Sequence, residues 1–306
     1  MPDANPKDIL NHWQQLPLAF RALLMLLLTL FISFVVCTIS VIIYMFLLVG
    51  KPLLGQAELV ALLDTPSTQA FQILMNGLAY LVTLIWCINQ GHDKEIKSSL
   101  RLGRFNYFSL IESSLLIISY SVLIDQSLYL IAEALFPRMF QGVLINDLSV
   151  TSSLANVQGS NTVAFNLLLF LIVIFNPILE ELFFRGFLWK TLRNNYSFLK
   201  TLLINAAAFA FIHLNFIQGI NAFLMGLIYG FIAERSKSVW PCLIAHLTIS
   251  YMTYLLSQKG VFYGLGGTSY PQKLLLSCSI VFIISFVLVF SKGNLFETNK
   301  SSEEKN

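Results

Sequence analysis

Residues 175–185 read Phe175-Asn176-Pro177-Ile178-Leu179-Glu180-Glu181-Leu182-Phe183-Phe184-Arg185 and close an apolar run that starts near residue 163. A run of that length suits a membrane span, yet it ends in two adjacent acids. One charge at the bilayer centre costs roughly 2.5–3.5 kcal/mol on insertion scales. Two neighbouring carboxylates cost more, unless one is protonated or both find partners. Ionisable groups at such depth mark functional positions in membrane proteins.

The rest of the chain fits a membrane setting. Its 306 residues are 56% hydrophobic and 11% charged, where soluble domains hold about 25% charged residues. Mean hydropathy is +0.72. The expected class is an all-α, polytopic integral membrane protein in a lipid bilayer. A spanning helix needs about 20 apolar residues. That ruler gives eight candidate spans, at 22–49, 69–89, 107–134, 163–184, 198–215, 219–234, 239–258 and 272–291. Residues 1–306 then form one membrane domain, with a polar, disordered tail expected at 292–306; the chemistry-bearing residues named below fall within 160–260.

The run at 107–134 carries Glu112, Asp125 and Glu133, which suits one long tilted helix; Asp125 is expected at a helix end or facing a loop. Ser, Asn and Gly enrich 137–161, the expected place for irregular structure. The first run, Phe20 to Gly50, exceeds the roughly 7–15 apolar residues of a signal peptide and is expected to stay as a span. No internal repeat is visible, which weighs against an inverted-repeat transporter using the glutamate pair.

Net charge is only +3, without a long basic patch, so no nucleic-acid partner is expected. Cys37, Cys87, Cys242 and Cys278 lie in or beside apolar runs and form no C-x-x-C pair. They read as small buried apolar residues rather than zinc thiolates. Lysine and arginine counts set orientation. With the amino terminus inside, eight spans put fifteen of these residues on the cytoplasmic side and leave Lys51, Arg138, Lys259 and Lys273 outside. Both termini are therefore expected in the cytoplasm, in a cell membrane of the bacterial inner-membrane type. The stretch from Lys94 to Arg104 reads as a positive cytoplasmic loop.

Glu181 and Arg185 stand four apart on one helix face and are expected to pair. Glu180 then points about 100° away, free to meet another helix and to act as a base on water. Pro177 removes a backbone hydrogen bond one turn earlier and is expected to kink the helix. Of four histidines, only His213 and His246 interrupt apolar runs. Phe209 precedes His213 by one turn, where its ring can set the imidazole; Asn205 lies one turn further back, on the same face. Pro241 suits the first turn of the helix that carries His246. Ser250 follows one turn later on the same face, and Thr248 points elsewhere. Gly226 and Gly230 make a small-residue contact stripe, read as packing one helix on another within the molecule.

Three spans bearing Glu180, His213 and His246 could hold a zinc ion with water in its open position. They could equally activate water directly, with a glutamate and histidine as base and the second histidine as oxyanion donor. The zincin signature H-E-x-x-H is absent.

The order and spacing of Glu180-Glu181-x-x-x-Arg185, Phe209-x-x-x-His213 and His246-x-x-x-Ser250 resemble the motif set of the CAAX-processing and bacteriocin-processing intramembrane endopeptidases (the CPBP, or Abi, family). Eight spans agree with the eukaryotic prenyl-protein endopeptidase of that family. The resemblance implies Glu180 as the water-activating base, assisted by His213, with His246 and the residue at 250 stabilising the oxyanion. It implies a membrane-associated protein or peptide substrate. The family's asparagine is Ser250 here, whose shorter hydroxyl reaches less far. Losing a good oxyanion donor costs about 2.7–4 kcal/mol of barrier. A non-catalytic membrane regulator or immunity protein on the same scaffold is therefore the alternative expectation.

Overall fold

The computed structural model describes residues 13–44, 65–90, 95–135, 163–213, 216–258 and 271–291. Its long helices are α1 (Leu18–Tyr44), α2 (Pro66–Gln90), α3 (Tyr107–Leu135), α4 (Val163–Asn195), α5 (Phe198–Phe211), α6 (Phe216–Ser236), α7 (Trp240–Gln258) and α8 (Gln272–Ser291). One helical turn, Ile96–Ser99, lies between α2 and α3. No strand occurs among the described residues. The protein is an all-α, polytopic membrane protein. Five of the described helices, α1, α2, α3, α4 and α8, are long and apolar enough to cross a bilayer by length and composition. The other three are α5, with 14 residues, α6 with 21 and α7 with 19.

Each expected span coincides with one helix, and the differences lie at the ends. The third is one uninterrupted helix, as its length asks. Helix α3 continues past Asp125 to Leu135, while its apolar stretch Tyr107–Ile124 stops just before that acid. The loop at 137–161 and the tail at 292–306 lie outside the described residues. So does the end of the first apolar run.

Helix α4 is the spine, with α1 and α2 packed on one flank. Leu26 of α1, Tyr80 and Leu84 of α2 and Leu179, Phe183 and Phe184 of α4 share that buried cluster. On the other flank α3 packs against α7 and α8, while α5 and α6 form a tight antiparallel hairpin. Trp189 of α4 joins Leu116 of α3, Leu202 of α5, Tyr229 of α6 and Ala245 of α7 in the second cluster. Side chains left facing outward are mostly large and apolar, such as Phe31, Phe34, Ile85 and Ile283. That is the pattern of a lipid-facing surface. All four cysteines are free and buried, as read from sequence.

Glycines set the α5–α6 hairpin. A Cβ on Gly226 would stand 3.0 Å from the Cα of Ala206, and one on Gly230 would meet the Leu202 side chain and the Trp189 ring. The stripe therefore packs within the molecule.

Helical turns of α4 run without a break through Pro177. The helix widens into π-helical turns on both sides of the acids, at Leu171–Phe175 and Leu182–Leu188, with six α-helical residues between them. A wide turn ahead of Pro177 accommodates the missing N–H and ring, because it shifts the register of the backbone bonds. Such turns recur at functional sites.

Candidate active site

Both acids sit on the short α-helical stretch between the wide turns. Glu181 is fully buried. Its Oε1 accepts from Arg185 Nη1 at 3.3 Å and lies 2.9 Å from His246 Nδ1. The Glu181–Arg185 pair is the one expected from the spacing. The second partner was not foreseen: His246 meets Glu181, not Glu180. Arg185 is equally buried, and aromatic rings wall its guanidinium. Cζ lies 4.2 Å from the Phe209 ring centre, 4.9 Å from that of Tyr229 and 5.7 Å from that of Phe184. A ring face attracts a cation, so the three rings and one carboxylate offset part of the hydration that Arg185 has lost, while its Nε and Nη2 have no hydrogen-bond partner among the described residues.

Hydrogen-bond chemistry fixes how each imidazole is presented. His213 Nδ1 is 2.8 Å from the carbonyl oxygen of Phe209. A carbonyl only accepts, so Nδ1 carries a proton, and in the neutral ring the lone pair lies on Nε2. His213 sits in a turn just past α5, which ends at Phe211. The turn is closed by a bond from its own N–H to Ala210 O at 3.2 Å. The Phe209 ring stands edge-on to the imidazole at 5.0 Å, as the spacing suggested. In His246, Nδ1–H donates to the Glu181 carboxylate. The flat face of that imidazole stacks on Tyr229 at 5.5 Å and 29°. Each ring thus has its Nδ1 anchored within the protein, and its Nε2 has no partner among the described residues.

Glu180 is half-buried and lies within electrostatic reach of His246, His213, Glu181 and Arg185. Ser250 is half-buried too and makes no hydrogen bond among the described residues. Thr248 turns back to Ile244 O at 2.7 Å, away from that role. Asn205, fully buried, donates from Nδ2 to Phe184 O at 2.8 Å. Tyr229 and Tyr80 were not singled out from sequence. Tyr229 stands between Arg185 and His246, and Tyr80 packs its ring on Phe183 and Phe184. An aromatic stripe in a greasy helix looks like any other core, so no local signal set these two apart.

Among the described residues, no three His, Cys, Asp or Glu side chains are grouped to hold a metal ion. Glu180, His213 and His246 do not form such a metal-holding group.

A basic rim closes the end of the bundle where α4 and α6 finish. Glu234 binds Arg193 at 3.0 Å and Lys237 at 2.8 Å, and also accepts from Trp189 Nε1 at 3.2 Å. Lys190 donates to Ser98 at 2.8 Å, and Arg235 pairs with Glu112 at 3.5 Å. These cations belong to two of the loops that the charge count assigned to one side of the membrane, Ser98 belongs to a third, and the fold does bring the three together. Arg101 sits deeper in the same rim, where burial lowers its pKa from the usual arginine value.

Fold and site together define an all-α membrane protein with a buried carboxylate–histidine centre. Residues 162–252 match the family model described as Rce1-like, type II CAAX prenyl endopeptidase. The matched stretch contains all six residues picked from the motifs, from Glu180 to Ser250. No curated protein matches the chain, and no solved structure does.

Proposed function

We propose that this protein is an intramembrane endopeptidase that hydrolyses a peptide bond in a membrane-presented protein or peptide. The observation that carries this reading is the buried chain Arg185–Glu181–His246, with bonds of 3.3 and 2.9 Å, set beside half-buried Glu180. A purely structural ion pair would not need an imidazole held by one nitrogen with the other left free.

In this reading Glu180 takes a proton from a water molecule oriented by the free Nε2 of His213. The hydroxide oxygen bonds to the scissile carbonyl carbon, and the carbonyl electron pair moves onto oxygen. His246 holds that oxyanion through Nε2. Because its Nδ1 proton is already given to Glu181, this role needs the doubly protonated ring. The carbon–nitrogen bond then breaks, and Glu180 returns its proton to the leaving amine. Water and peptide become acid and amine, with no net change at the protein. Glu181 and Arg185 orient the second imidazole, and Ser250, one turn beyond His246, can add a hydroxyl to the oxyanion. Both termini and the basic rim face the cytoplasm.

The test is a panel of quenched-fluorescent peptides in nanodiscs, with and without a prenylated cysteine, alongside a proteomic comparison of membranes. Glu180→Gln and His213→Ala are expected to abolish cleavage while the protein still inserts and folds. Full cleavage by either variant would remove the mechanism. The motivation for the non-catalytic alternative is Ser250, which lacks the reach of an asparagine amide. If Glu180→Ala supports the whole cellular phenotype, that alternative wins.

A further inference from the structure

We propose that Asn205 and Arg101 are positioning residues for this reaction: from two different parts of the fold they hold open the wide turn that keeps Glu181 rotated towards His246. The inference rests on the hydrolase reading for its kinetic consequence, and on geometry alone for the turn.

The wide turn Leu182–Leu188 follows the acid pair directly. Two successive carbonyls within it accept from outside the helix. Phe184 O takes Asn205 Nδ2 at 2.8 Å, and Arg185 O takes Arg101 Nη1 at 3.1 Å. The next residue, Gly186, lies against the backbone of the loop bearing Arg101, where a Cβ would stand 2.9 Å from Leu100 O. Three consecutive residues of the turn are therefore gripped by α5 on one side and the 95–103 loop on the other.

That loop is itself built to hold Arg101. Arg101 takes a left-handed backbone conformation with φ of 54°, which a non-glycine residue adopts at some cost. Its carbonyl accepts from Val239 N at 3.1 Å, and its second guanidinium nitrogen donates to Ala233 O at 2.6 Å. One side chain thus bridges the wide turn of α4 and the end of α6, and its backbone is tied to the start of α7.

The chemical consequence follows from helix geometry. A π-helical turn carries one residue more than an α-helical turn. If the turn relaxed to an ordinary helix, groups on its two sides would rotate against each other by about 100°. Glu181 lies ahead of the turn and Arg185 within it. Relaxation keeps that i,i+4 pair on one face but turns Glu181 against the end of α4 that Glu234 anchors through Trp189 and Arg193, and His246 would lose the fixed carboxylate that orients its ring. Sequence reading placed Asn205 only on the face of His213, and Arg101 only in a positive loop.

The experiment compares wild type, Asn205→Leu, Arg101→Met, the double variant and the conservative Arg101→Lys in nanodiscs. Hydrogen exchange over 182–190 and kcat and KM on the cleaved member of the peptide panel are both read. Either single change is expected to lower kcat by about tenfold or more with KM within about twofold. Exchange should rise at 182–190 but not in α8. The double variant should fall no further than the worse single one, because both act on one turn. Arg101→Lys, which reaches one carbonyl at a time, should recover part of kcat. Unchanged exchange over 182–190 overturns the proposal even if activity falls. If Asn205→Leu fails to fold, the Arg101 pair decides alone. Full cleavage by Glu180→Gln would instead sink the hydrolase reading, leaving the exchange result to decide the turn.

Discussion

Glu181 and Arg185 allow a double-mutant cycle whose sign is set by burial. Glu181→Gln keeps the shape but leaves the Arg185 guanidinium fully buried without its carboxylate. Breaking a buried pair from one side costs about 3–5 kcal/mol. The bond count agrees: Glu181 Oε1 takes two bonds, at 3.3 and 2.9 Å, and bonds to charged groups contribute about 1.5–3 kcal/mol each. Arg185→Met leaves the carboxylate with His246 alone. It keeps an apolar, flexible side chain within the box of Phe184, Phe209 and Tyr229, so most packing is retained. The double variant removes both charges, and its cost should fall short of the sum of the singles by about 2 kcal/mol or more. The assay is reversible unfolding of all four proteins in bicelles at one lipid composition. If the two costs add to within about 0.5 kcal/mol, the two groups do not depend on each other as argued.

Gly226→Val should destabilise the α5–α6 hairpin by about 1–3 kcal/mol, read as a lower unfolding midpoint, because the neighbour at 3.0 Å is backbone and has little room to move. Ser250→Asn should raise kcat by about tenfold if residue 250 touches the oxyanion, and an unchanged kcat would remove Ser250 from the site. Chelator treatment should leave cleavage within about twofold, since a bound zinc would need an assembled ligand set; loss of activity that returns with added zinc would show that Glu180, His213 and His246 gather around an ion.

What the sequence made legible follows from which forces act locally. Length and apolar runs determine α helices in a bilayer, so every span from 22–49 to 272–291 found its helix. The Glu181–Arg185 pair and the Phe209–His213 contact both lie within one helical turn, where spacing alone dictates proximity. The Glu181–His246 bond spans α4 and α7, and the choice between adjacent glutamates depends on a rotation that no spacing rule encodes. The wide turns were hidden for a related reason: Pro177 announces a disturbed backbone but not its form. The docking of Arg101 on Arg185 O depends on three chain segments meeting, and the sequence around Arg101 shows only positive charge.

The length of α4 has a bearing on how reactants arrive. Its 33 residues at about 1.5 Å each give a rod of roughly 50 Å, well beyond the ~30 Å of hydrocarbon. One end must therefore project, and the end with Lys190 and Arg193 is the charged one. Glu181 precedes Lys190 by nine positions, a drop of about 13 Å below that lysine. A solvent molecule has to descend that far through protein, and an extended chain entering from the same rim would need about four residues to reach the acids.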